Sequence, residues 1–390
     1  MAVGSRAVEG LVVTSPDSSF AGAFRGRRVL VTGHTGFKGA WLVLWLRRLG
    51  AQVSGLALPV VPSPLGPGHL DALGLDLPQA MVDLRDAVAV RRALARFQPE
   101  VVFHLAAQAL VRRGYREPAA TFEVNVGGLV NLLEAIRSCG TVRAVVNATS
   151  DKCYLNTATR RGYVEDDPLG GHDPYSASKA CAELVSASWR ASFLAAGAPP
   201  VGLATARAGN VIGGGDWAQD RLVPDLARAA IAGRSAPIRH PGATRPWQHV
   251  LEPLSGYLAL AAGLLADPSD GAEAWNFGPD PSDHLTVGEL ASRFAARWDA
   301  VRVELDRGPH PHEAELLHLD CSKAAARLGW QPVWTADTAI GRTADWYRRL
   351  HRDRVPASGE DLDRYVEDAV RAGRPWAAAR TALPAGTAAA

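Results

Sequence analysis

We predict an α/β fold whose core is a doubly wound parallel sheet, followed by a smaller C-terminal α/β lobe. Short apolar runs alternate with amphipathic stretches along the chain, and this alternation is typical of parallel strands joined by crossover helices. Four runs are short and rich in β-branched residues, as buried strands are: residues 28–32, 52–56, 101–105 and 143–149. Residues 121–139 carry apolar side chains at helical spacing and residues 40–49 are apolar nearly all round, so we expect both to form helices against the sheet.

The composition is that of a globular protein and argues against several other classes. Of the 390 residues, 47% are hydrophobic, which is enough to bury a large core. The formal net charge is +2 and charges of both signs are interspersed, so we expect no nucleic-acid or membrane partner. No apolar run is long enough to span a bilayer, and residues 1–24 lack the apolar segment of a signal peptide. The 4 cysteines are too scattered for a zinc site and too few for a disulfide scaffold, so we expect reduced thiols and a cytoplasmic protein.

A glycine-rich turn directly follows the first predicted strand. Gly33, Gly36 and Gly39 permit a tight turn and a close approach of the backbone to a ligand. The helix that begins near Ala40 offers unpaired N–H groups and a favourable dipole to a pyrophosphate. A glycine triplet alone is weak evidence, and a purely structural turn is the alternative. Its place in the first strand-helix unit favours a dinucleotide site in a Rossmann-type domain.

Tyr175 and Lys179 form a second signal, because they lie four residues apart in Tyr-Ser-Ala-Ser-Lys. On a helix these two positions share one face, so the Lys179 ammonium can lie near the Tyr175 phenol and favour its ionised form. A phenol with an ordinary pKa of about 10 is a poor base at neutral pH without such help. The pair therefore indicates a tyrosine that acts as a base, and an incidental surface pair is the alternative.

Taken in order, these motifs resemble the extended short-chain dehydrogenase/reductase family, and the resemblance extends over residues 27–347. It implies an NAD-dependent enzyme in which Asp83 accepts a hydrogen bond from the adenine amino group. From the residues alone, Asp83 could be a helix cap, and the small residues after the strand at 101–105 could reflect close packing. The residues that the resemblance assigns to the cofactor are Gly33, Thr35, Gly36, Phe37, Lys38, Gly39, Asp83, Leu84, Leu105, Ala106, Ala107, Tyr175 and Lys179.

The region after the second predicted strand bears on which dinucleotide is bound and how tightly. Residues 55–59 contain no carboxylate that could hold the adenosine ribose hydroxyls. They also contain no arginine that would accept a 2′-phosphate. We therefore predict NAD rather than NADP, held loosely enough that the purified protein needs added NAD.

Ser150, Asp151 and Lys152 distinguish the dehydratases of this family from its simple dehydrogenases. Such enzymes oxidise the sugar at C4, eliminate water across C5 and C6, and return the hydride to C6. The resemblance implies that Tyr175 takes the C4 hydroxyl proton while Ser150 hydrogen-bonds there, and that Asp151 protonates the departing C6 hydroxyl. The dTDP-glucose enzymes have Thr-Asp-Glu here, whereas Ser-Asp-Lys resembles the branch that converts CDP-glucose to CDP-4-keto-6-deoxyglucose. Lys152 would then be the C5 base, and an ion pair with Asp151 is the open alternative.

Further motifs in family order imply a sugar-nucleotide site. Arginine guanidinium groups suit bidentate phosphate recognition, although any single arginine is more often a solvated surface residue. The residues that the resemblance assigns to the substrate are Gln108, Asn210, Arg221, Arg245 and Asn276. His310 and His312 make a weak ligand set around a proline, so we expect no metal.

The resemblance divides the chain into four segments. Residues 1–25 are expected to be a flexible extension, residues 26–206 the NAD-binding Rossmann-type domain, and residues 207–350 mainly the sugar-nucleotide lobe, with segments that return to the first domain. Residues 351–390 are expected to hold a helix and an alanine-rich tail. The two termini are too weakly patterned to join a core.

The oligomeric state and the activity leave alternatives open. A homodimer is expected, because members of this family usually pair through helices that flank the sheet. A nucleotide-sugar 4-epimerase of the same family would share Tyr175, Lys179 and the glycine turn but would not need Asp151 as an acid. A non-catalytic NAD-binding protein is the third reading, since a fold alone does not imply activity.

Overall fold

The structure is a computed structural model that describes residues 16–60, 68–157, 159, 161–306, 308 and 317–378. In the described ranges the strands are β1 Arg28–Thr32, β2 Gln52–Ala57, β3 Gln79–Met81, β4 Val101–His104, β5 Ala144–Ala148, β6 Gly202–Arg207, β7 Val211–Ile212, β8 Ser235–Ile238, β9 Thr244–Arg245, β10 Gln248–His249, β11 Ala274–Asn276, β12 Leu285–Thr286 and β13 Arg302–Leu305.

In the same ranges the α-helices are α1 Phe37–Arg48, α2 His69–Ala72, α3 Ala87–Phe97, α4 Val111–Arg116, α5 Pro118–Phe122, α6 Gly128–Cys139, α7 Pro174–Trp189, α8 Leu222–Ile231, α9 Leu251–Ala266, α10 Val287–Arg297, α11 Ser322–Leu328, α12 Ala336–Asp353 and α13 Ser358–Arg371. Short 3-10 helices cover Pro16–Gly22, Asp151–Cys153 and Pro281–Asp283, and π-helical turns cover Glu123–Gly127 and Arg190–Leu194.

Seven parallel strands form the central sheet, in the order β11-β6-β5-β4-β1-β2-β3. The predicted Rossmann-type sheet is therefore confirmed. The chain order reverses beside β1, which pairs with β2 on one side and β4 on the other. In doubly wound sheets a crevice opens outside the carboxyl ends of the strands at such a point, and this is where ligands bind.

Alternate side chains of β1 pack into two different hydrophobic layers. Val29 and Val31 join the larger cluster, which includes α1 and α9, whereas Leu30 joins the cluster formed with α3 and α6. All three residues are fully buried. Successive side chains of a strand point to opposite faces, so a strand that is covered on both faces must be apolar throughout.

Residues after β6 build a smaller lobe and also return to the central sheet. β8 pairs in parallel with β13, and both contact α8. β11 extends the central sheet at its edge beside β6, and α9 packs against β5 and β6. The segment between β6 and α8 thus crosses the carboxyl edge of the sheet, where it can face the glycine turn.

The two ends of the described chain meet in an aromatic cluster. Phe20 stacks on Trp376 with ring centroids 5.1 Å apart, and the Phe20 N–H donates to the Trp376 carbonyl oxygen. Phe20, Phe24 and Trp376 are buried against Trp45 and Tyr365. The expectation that the two termini lie outside the core is wrong for these residues, because large aromatic side chains bury much apolar area even in weakly patterned segments. Residues 1–15 and 379–390 lie outside the described ranges.

Among the described residues, no helix combines the length and the apolar character needed to cross a membrane. The cysteines Cys139, Cys153, Cys181 and Cys321 are free thiols. No group of three or more His, Cys, Asp or Glu residues in the described part of the chain could hold a metal ion. His310 and His312, the pair considered from the sequence, lie outside that part.

Candidate active site

A cavity of about 1390 Å³ lies at the carboxyl edge of the central sheet. Its lining includes the β1–α1 turn and the residues that follow β4 and β5. The start of α7, the segment from Ala208 to α8 and residues of β8 also line it. The cavity therefore joins the predicted dinucleotide turn to the smaller lobe.

The glycine turn is packed so closely that side chains at two of its glycines would collide with neighbouring backbone atoms. Gly33 has a φ of +71°, and a Cβ atom there would lie 2.8 Å from the Ala106 nitrogen. A Cβ on Gly39 would lie 2.1 Å from the Gly33 carbonyl oxygen. α1 begins at Phe37 without a side-chain cap, so the first N–H groups of the helix are offered to an anion. The predicted cofactor residues of this turn all line the cavity.

Asp83 also lines the cavity, but its carboxylate already has a partner. Arg85 donates from Nη2 to Oδ2 of Asp83 at 2.7 Å, and from Nε to both carboxylate oxygens at 3.1 Å. The hydrogen bonds from Arg85 hold the pKa of Asp83 below its ordinary value. An adenine amino group would therefore share an acceptor with Arg85, a residue that the sequence analysis did not consider. Leu84, Leu105, Ala106 and Ala107 line the same end of the cavity.

Tyr175 and Lys179 lie in the first two turns of α7, which Asp173 caps by accepting from the Ser176 N–H. Both Tyr175 and Lys179 are buried and line the cavity. Nζ of Lys179 donates to the carbonyl oxygen of Ala148 at 3.2 Å. The spacing has thus placed both side chains at the same edge of the sheet.

Lys179 does not lower the pKa of Tyr175 in the way that the sequence analysis expected. Burial raises the pKa of Tyr175 to about 12, and the groups that oppose this rise are the Ser150 hydroxyl and the Arg221 charge. Burial also lowers the pKa of Lys179 to about 8, while the Glu183 carboxylate acts to raise it. Desolvation of these two buried groups therefore outweighs the effects of neighbouring charges.

The Ser150–Lys152 segment forms a tight turn directly after β5. Ser150 Oγ accepts from the Lys152 N–H at 3.2 Å and donates to Asp151 Oδ1 at 3.0 Å. Asp151 is buried, and its Oδ2 has no hydrogen-bond partner among the described residues. Gly209 makes room for that oxygen, since a Cβ atom at Gly209 would overlap it. A cavity-lining carboxylate with an unpartnered oxygen is suited to exchange a proton with a ligand.

Lys152 is half-buried and lines the cavity beside Asp151. In the ranges that the structure describes, the two side chains form no ion pair. The alternative that Lys152 serves as the ion-pair partner of Asp151 therefore finds no support in this geometry.

Three of the five predicted substrate residues line the cavity: Asn210, Arg221 and Arg245. Nη1 of Arg221 is 2.9 Å from Oδ2 of Asp216, which holds the guanidinium in place. Lys38 lies close to this region, since Arg221 and Lys179 add to burial in lowering the pKa of Lys38 to about 7. Its Nζ donates to the Tyr257 hydroxyl at 3.3 Å. The cavity thus holds a group of cations suited to a diphosphate.

The other two predicted substrate residues lie outside the lining of this cavity and bond to other protein groups. Gln108 lines a smaller neighbouring cavity, and its amide bonds to Thr121 Oγ1 at 3.0 Å and to the Leu110 main chain. Asn276 is fully buried, where it accepts from the Tyr154 hydroxyl at 2.8 Å and donates to the Tyr163 carbonyl at 2.8 Å. Buried amides must satisfy their hydrogen bonds, and these two do so with protein groups, so substrate contact by Gln108 and Asn276 stays a prediction.

Charged residues that the sequence analysis missed also line the cavity, namely Arg112, Asp220 and Arg239. They come from α4, from the loop before α8 and from the residue after β8. No local pattern marks them, since Arg112 and Asp220 are 108 positions apart and meet only in the folded chain.

The parallel sheet, the glycine turn and the Tyr175–Lys179 pair at the carboxyl edge define an NAD-dependent enzyme of the extended short-chain dehydrogenase/reductase class. The chain belongs to the NAD dependent epimerase/dehydratase family, which residues 29–276 match. The dinucleotide of this family is NAD, and the glycine turn that would hold it lines the cavity.

Three similar proteins illustrate two activities, 4,6-dehydration and 4-epimerisation of nucleotide sugars. The chain is 47% identical to a CDP-glucose 4,6-dehydratase from Salmonella typhimurium over 357 residues, 89% of this chain and 98% of the relative. A solved dTDP-glucose 4,6-dehydratase from Streptomyces venezuelae with NAD bound has a TM-score of 0.68 and 26% identity, over 82% of this chain and 97% of that chain. A Thermus thermophilus UDP-glucose 4-epimerase in complex with NAD has a TM-score of 0.69 and 27% identity, over 82% and 99%.

Proposed function

We propose that the protein catalyses the NAD-dependent dehydration of CDP-glucose to CDP-4-keto-6-deoxyglucose. The observation that carries this proposal is the carboxylate of Asp151, which lies in the same cavity as Tyr175 with one oxygen unpartnered among the described residues. A base and an acid beside one sugar permit oxidation at C4 and loss of the C6 hydroxyl. The 47% identity to a CDP-glucose 4,6-dehydratase supports the choice of nucleotide.

The first step is loss of the C4 hydroxyl proton to Tyr175. NAD, when bound, accepts the C4 hydride and later returns it to C6. Burial keeps the pKa of Tyr175 at about 12, so proton removal needs stabilisation of the phenolate by Ser150, Arg221 and the cofactor's positive ring. Tyr175 then holds the proton until it passes to solvent.

The elimination step needs one base and one acid. Lys152 removes the C5 proton, which the neighbouring C4 ketone has made acidic. Asp151 gives its proton to the C6 hydroxyl, which leaves as water. Lys152, whose ammonium protons exchange with solvent, returns a proton to C5 when the hydride reaches C6, and Asp151 regains its proton from solvent. The product is therefore one water lighter and no net oxidation occurs.

A 4-epimerase is the second candidate, and the fold alone does not exclude it. An epimerase has no leaving group at C6 and would not require the Asp151 carboxylate. The position of that carboxylate in the cavity therefore favours the dehydratase.

Mass spectrometry of the pure protein with added NAD and separate CDP-, dTDP-, UDP- and GDP-hexoses tests the proposal. We expect a product one water lighter from CDP-glucose. Water loss only from another nucleotide would contradict the choice of substrate. An altered hexose of unchanged mass would indicate the epimerase, and no reaction with any substrate would indicate a non-catalytic protein.

We also propose that the protein is a homodimer that pairs through α5 and α7. These helices pack together, and they carry Phe122 and Leu184, which are 37% and 60% exposed. Exposed apolar side chains on neighbouring helices are typical of protein interfaces. Light scattering should give twice the chain mass, and Leu184→Glu should give a monomer. A monomeric wild-type protein would contradict the pairing.

A cytoplasmic location is the remaining proposal. Free thiols at all four cysteines fit a reducing compartment. Fractionation of cells that express the full chain tests this location, and recovery with the membranes or outside the cell would contradict it.

A further inference from the structure

A group of charged side chains from α4, the loop before α8 and the residue after β8 meets in the lining of the cavity. Arg239 donates from Nη1 to Asp220 Oδ1 at 3.5 Å and from Nη2 to the Asp220 carbonyl oxygen at 3.4 Å. Nη1 of Arg112 lies 3.3 Å from the same carboxylate oxygen. The side chains of Arg239 and Asp220 are 19% and 29% exposed, and both residues line the cavity.

A sugar nucleotide whose glucosyl C4 reaches Tyr175 can place its base beside this group, because the diphosphate continues from the other side of the sugar ring. Arg221 connects the two regions, since its charge acts on Tyr175 and it follows Asp220 in the chain. Apolar side chains of α8 and β8, such as Leu226 and Ile238, also line the cavity and suit a flat ring.

The hydrogen-bonding edge of cytosine differs from the edge that uracil and thymine share. Cytosine presents a donor at N4 and acceptors at N3 and O2, whereas uracil and thymine present an acceptor at O4, a donor at N3 and an acceptor at O2. A carboxylate only accepts hydrogen bonds and a guanidinium only donates them. Asp220 therefore offers an acceptor, and the N–H groups of Arg239 that do not bond Asp220 offer donors beside it, which complements cytosine. Against uracil or thymine, the carboxylate would face O4 and the guanidinium would face the N3–H.

We propose that Asp220 and Arg239 select cytosine over uracil and thymine, with Asp220 accepting from N4 and Arg239 donating to N3 and O2. This inference rests on the proposed function, since it assigns the base of the proposed CDP-glucose substrate. Polar groups that a wrong ligand leaves unpaired, or faces with like groups, discriminate more strongly than apolar contacts do. Arg112 is the positioning residue, because it contacts the same Asp220 oxygen and holds the carboxylate in the cavity.

Calorimetric titration of the full chain, in the presence of NAD, with CMP and separately with UMP tests the proposal. We expect wild-type protein to bind CMP at least about tenfold more tightly than UMP. Asp220→Asn replaces the pure acceptor with an amide that can turn either atom to the base, so the preference should fall to near one. Arg239→Gln should reduce the preference for CMP in the same way. Arg239→Lys keeps the positive charge but lacks the paired N–H groups of a guanidinium, so the preference for CMP should also stay low.

Arg245→Gln is the matched control, because this arginine lines the cavity and is assigned to the diphosphate. It should weaken CMP and UMP binding by the same factor and leave their ratio unchanged. Rates with CDP-glucose and UDP-glucose, expressed as a ratio of kcat/KM, should follow the binding ratio. Thermal unfolding of each variant separates a local effect from a loss of fold.

Two results would count against different proposals. If wild-type protein dehydrates CDP-glucose and both Asp220→Asn and Arg239→Gln keep the wild-type preference for CMP, the assignment of these two residues is wrong. If wild-type protein prefers UMP, or dehydrates only another nucleotide sugar, the proposed function fails and the assignment fails with it.

Discussion

Glu183 and Arg207 form a buried ion pair in which Arg207 Nε lies 3.0 Å from Glu183 Oε1, and each side chain is 4% exposed. Nη2 of Arg207 lies 3.0 Å from Oε2, so the contact is bidentate. Thr149 and Thr205 donate to the same carboxylate. The pair joins α7, one turn beyond Lys179, to the end of β6.

Removing the charge of Glu183 should therefore affect both stability and pH dependence. Glu183→Gln leaves the Arg207 charge uncompensated, and we expect a loss of about 3–5 kcal/mol in the free energy of unfolding. It also removes the carboxylate that acts to raise the pKa of Lys179, so that pKa should fall further below about 8. The high-pH limb of kcat should then move to lower pH, and urea unfolding and a pH-rate profile measure both effects.

Glu134→Gln provides the control for this prediction. Glu134 pairs with Arg137 at 2.8 Å on the surface of α6, where both side chains are more than 40% exposed. Exposed ion pairs contribute less than about 1 kcal/mol to the free energy of unfolding, so this substitution should cost little stability. Equal losses of stability in the two variants would show that the buried pair has no special role.

Substitutions of Lys152 and Tyr175 should affect two different steps of the reaction. Lys152→Met should still allow oxidation at C4, seen as absorbance of reduced cofactor in a single turnover, but should lose exchange of the C5 proton with deuterated water. Tyr175→Phe should lower both the reduced-cofactor absorbance and the exchange of the C5 proton, with kcat reduced about 10²–10⁴-fold. Retention of C5 exchange in Lys152→Met would rule out this lysine as the base.

The contact between the two chain ends should be important for stability. Phe20→Ala and Trp376→Ala should each lower the free energy of unfolding by about 3–5 kcal/mol, because both rings are buried. The double variant should lose less than the sum, since the stacked rings share one contact. Phe193→Ala is the control, because this ring is 44% exposed, and its loss should be much smaller. Additive losses in urea unfolding would contradict the coupling.

Glu252 should make the protein less stable as the pH rises towards neutrality. Its carboxyl group accepts from the N–H groups of Val333 and Trp334 and from the Tyr365 hydroxyl, yet burial raises its pKa to about 7 from an ordinary value of 4.5. The folded state therefore holds a proton that the unfolded chain releases between these values. The contribution to stability is complete below about pH 4.5 and is lost as the pH rises through about 7.

Glu252→Gln should flatten this fall in the free energy of unfolding between about pH 4.5 and 7. The free energy of unfolding should still fall somewhat with pH in this variant, because burial also raises the pKa of Asp361 to about 7. Glu289→Gln is the control, since hydrogen bonds from Thr286 lower the pKa of Glu289 and its contribution is lost only in acid. An unchanged slope in Glu252→Gln would contradict the assignment.

Groups that act together within a short stretch of chain could be predicted from the sequence. The glycine turn, the Tyr175–Lys179 spacing and the Ser150–Lys152 segment all follow or begin a single element, and the structure brings all of them to one cavity. The substrate roles of Gln108 and Asn276 stay predictions, because family order says which segment lies near a ligand but not which side chains face it. Their amides are held by hydrogen bonds to residues of the surrounding protein.

The period of apolar residues, the glycine spacing and the helical spacing of Tyr175 and Lys179 already specified a parallel sheet and a dinucleotide site, because these depend on local backbone geometry. The pKa of Tyr175, the joining of Phe20 to Trp376 and the meeting of Arg112, Asp220 and Arg239 depend on the folded chain. Burial from water and contacts between distant segments arise only when the chain packs, so no local pattern of residues contains them.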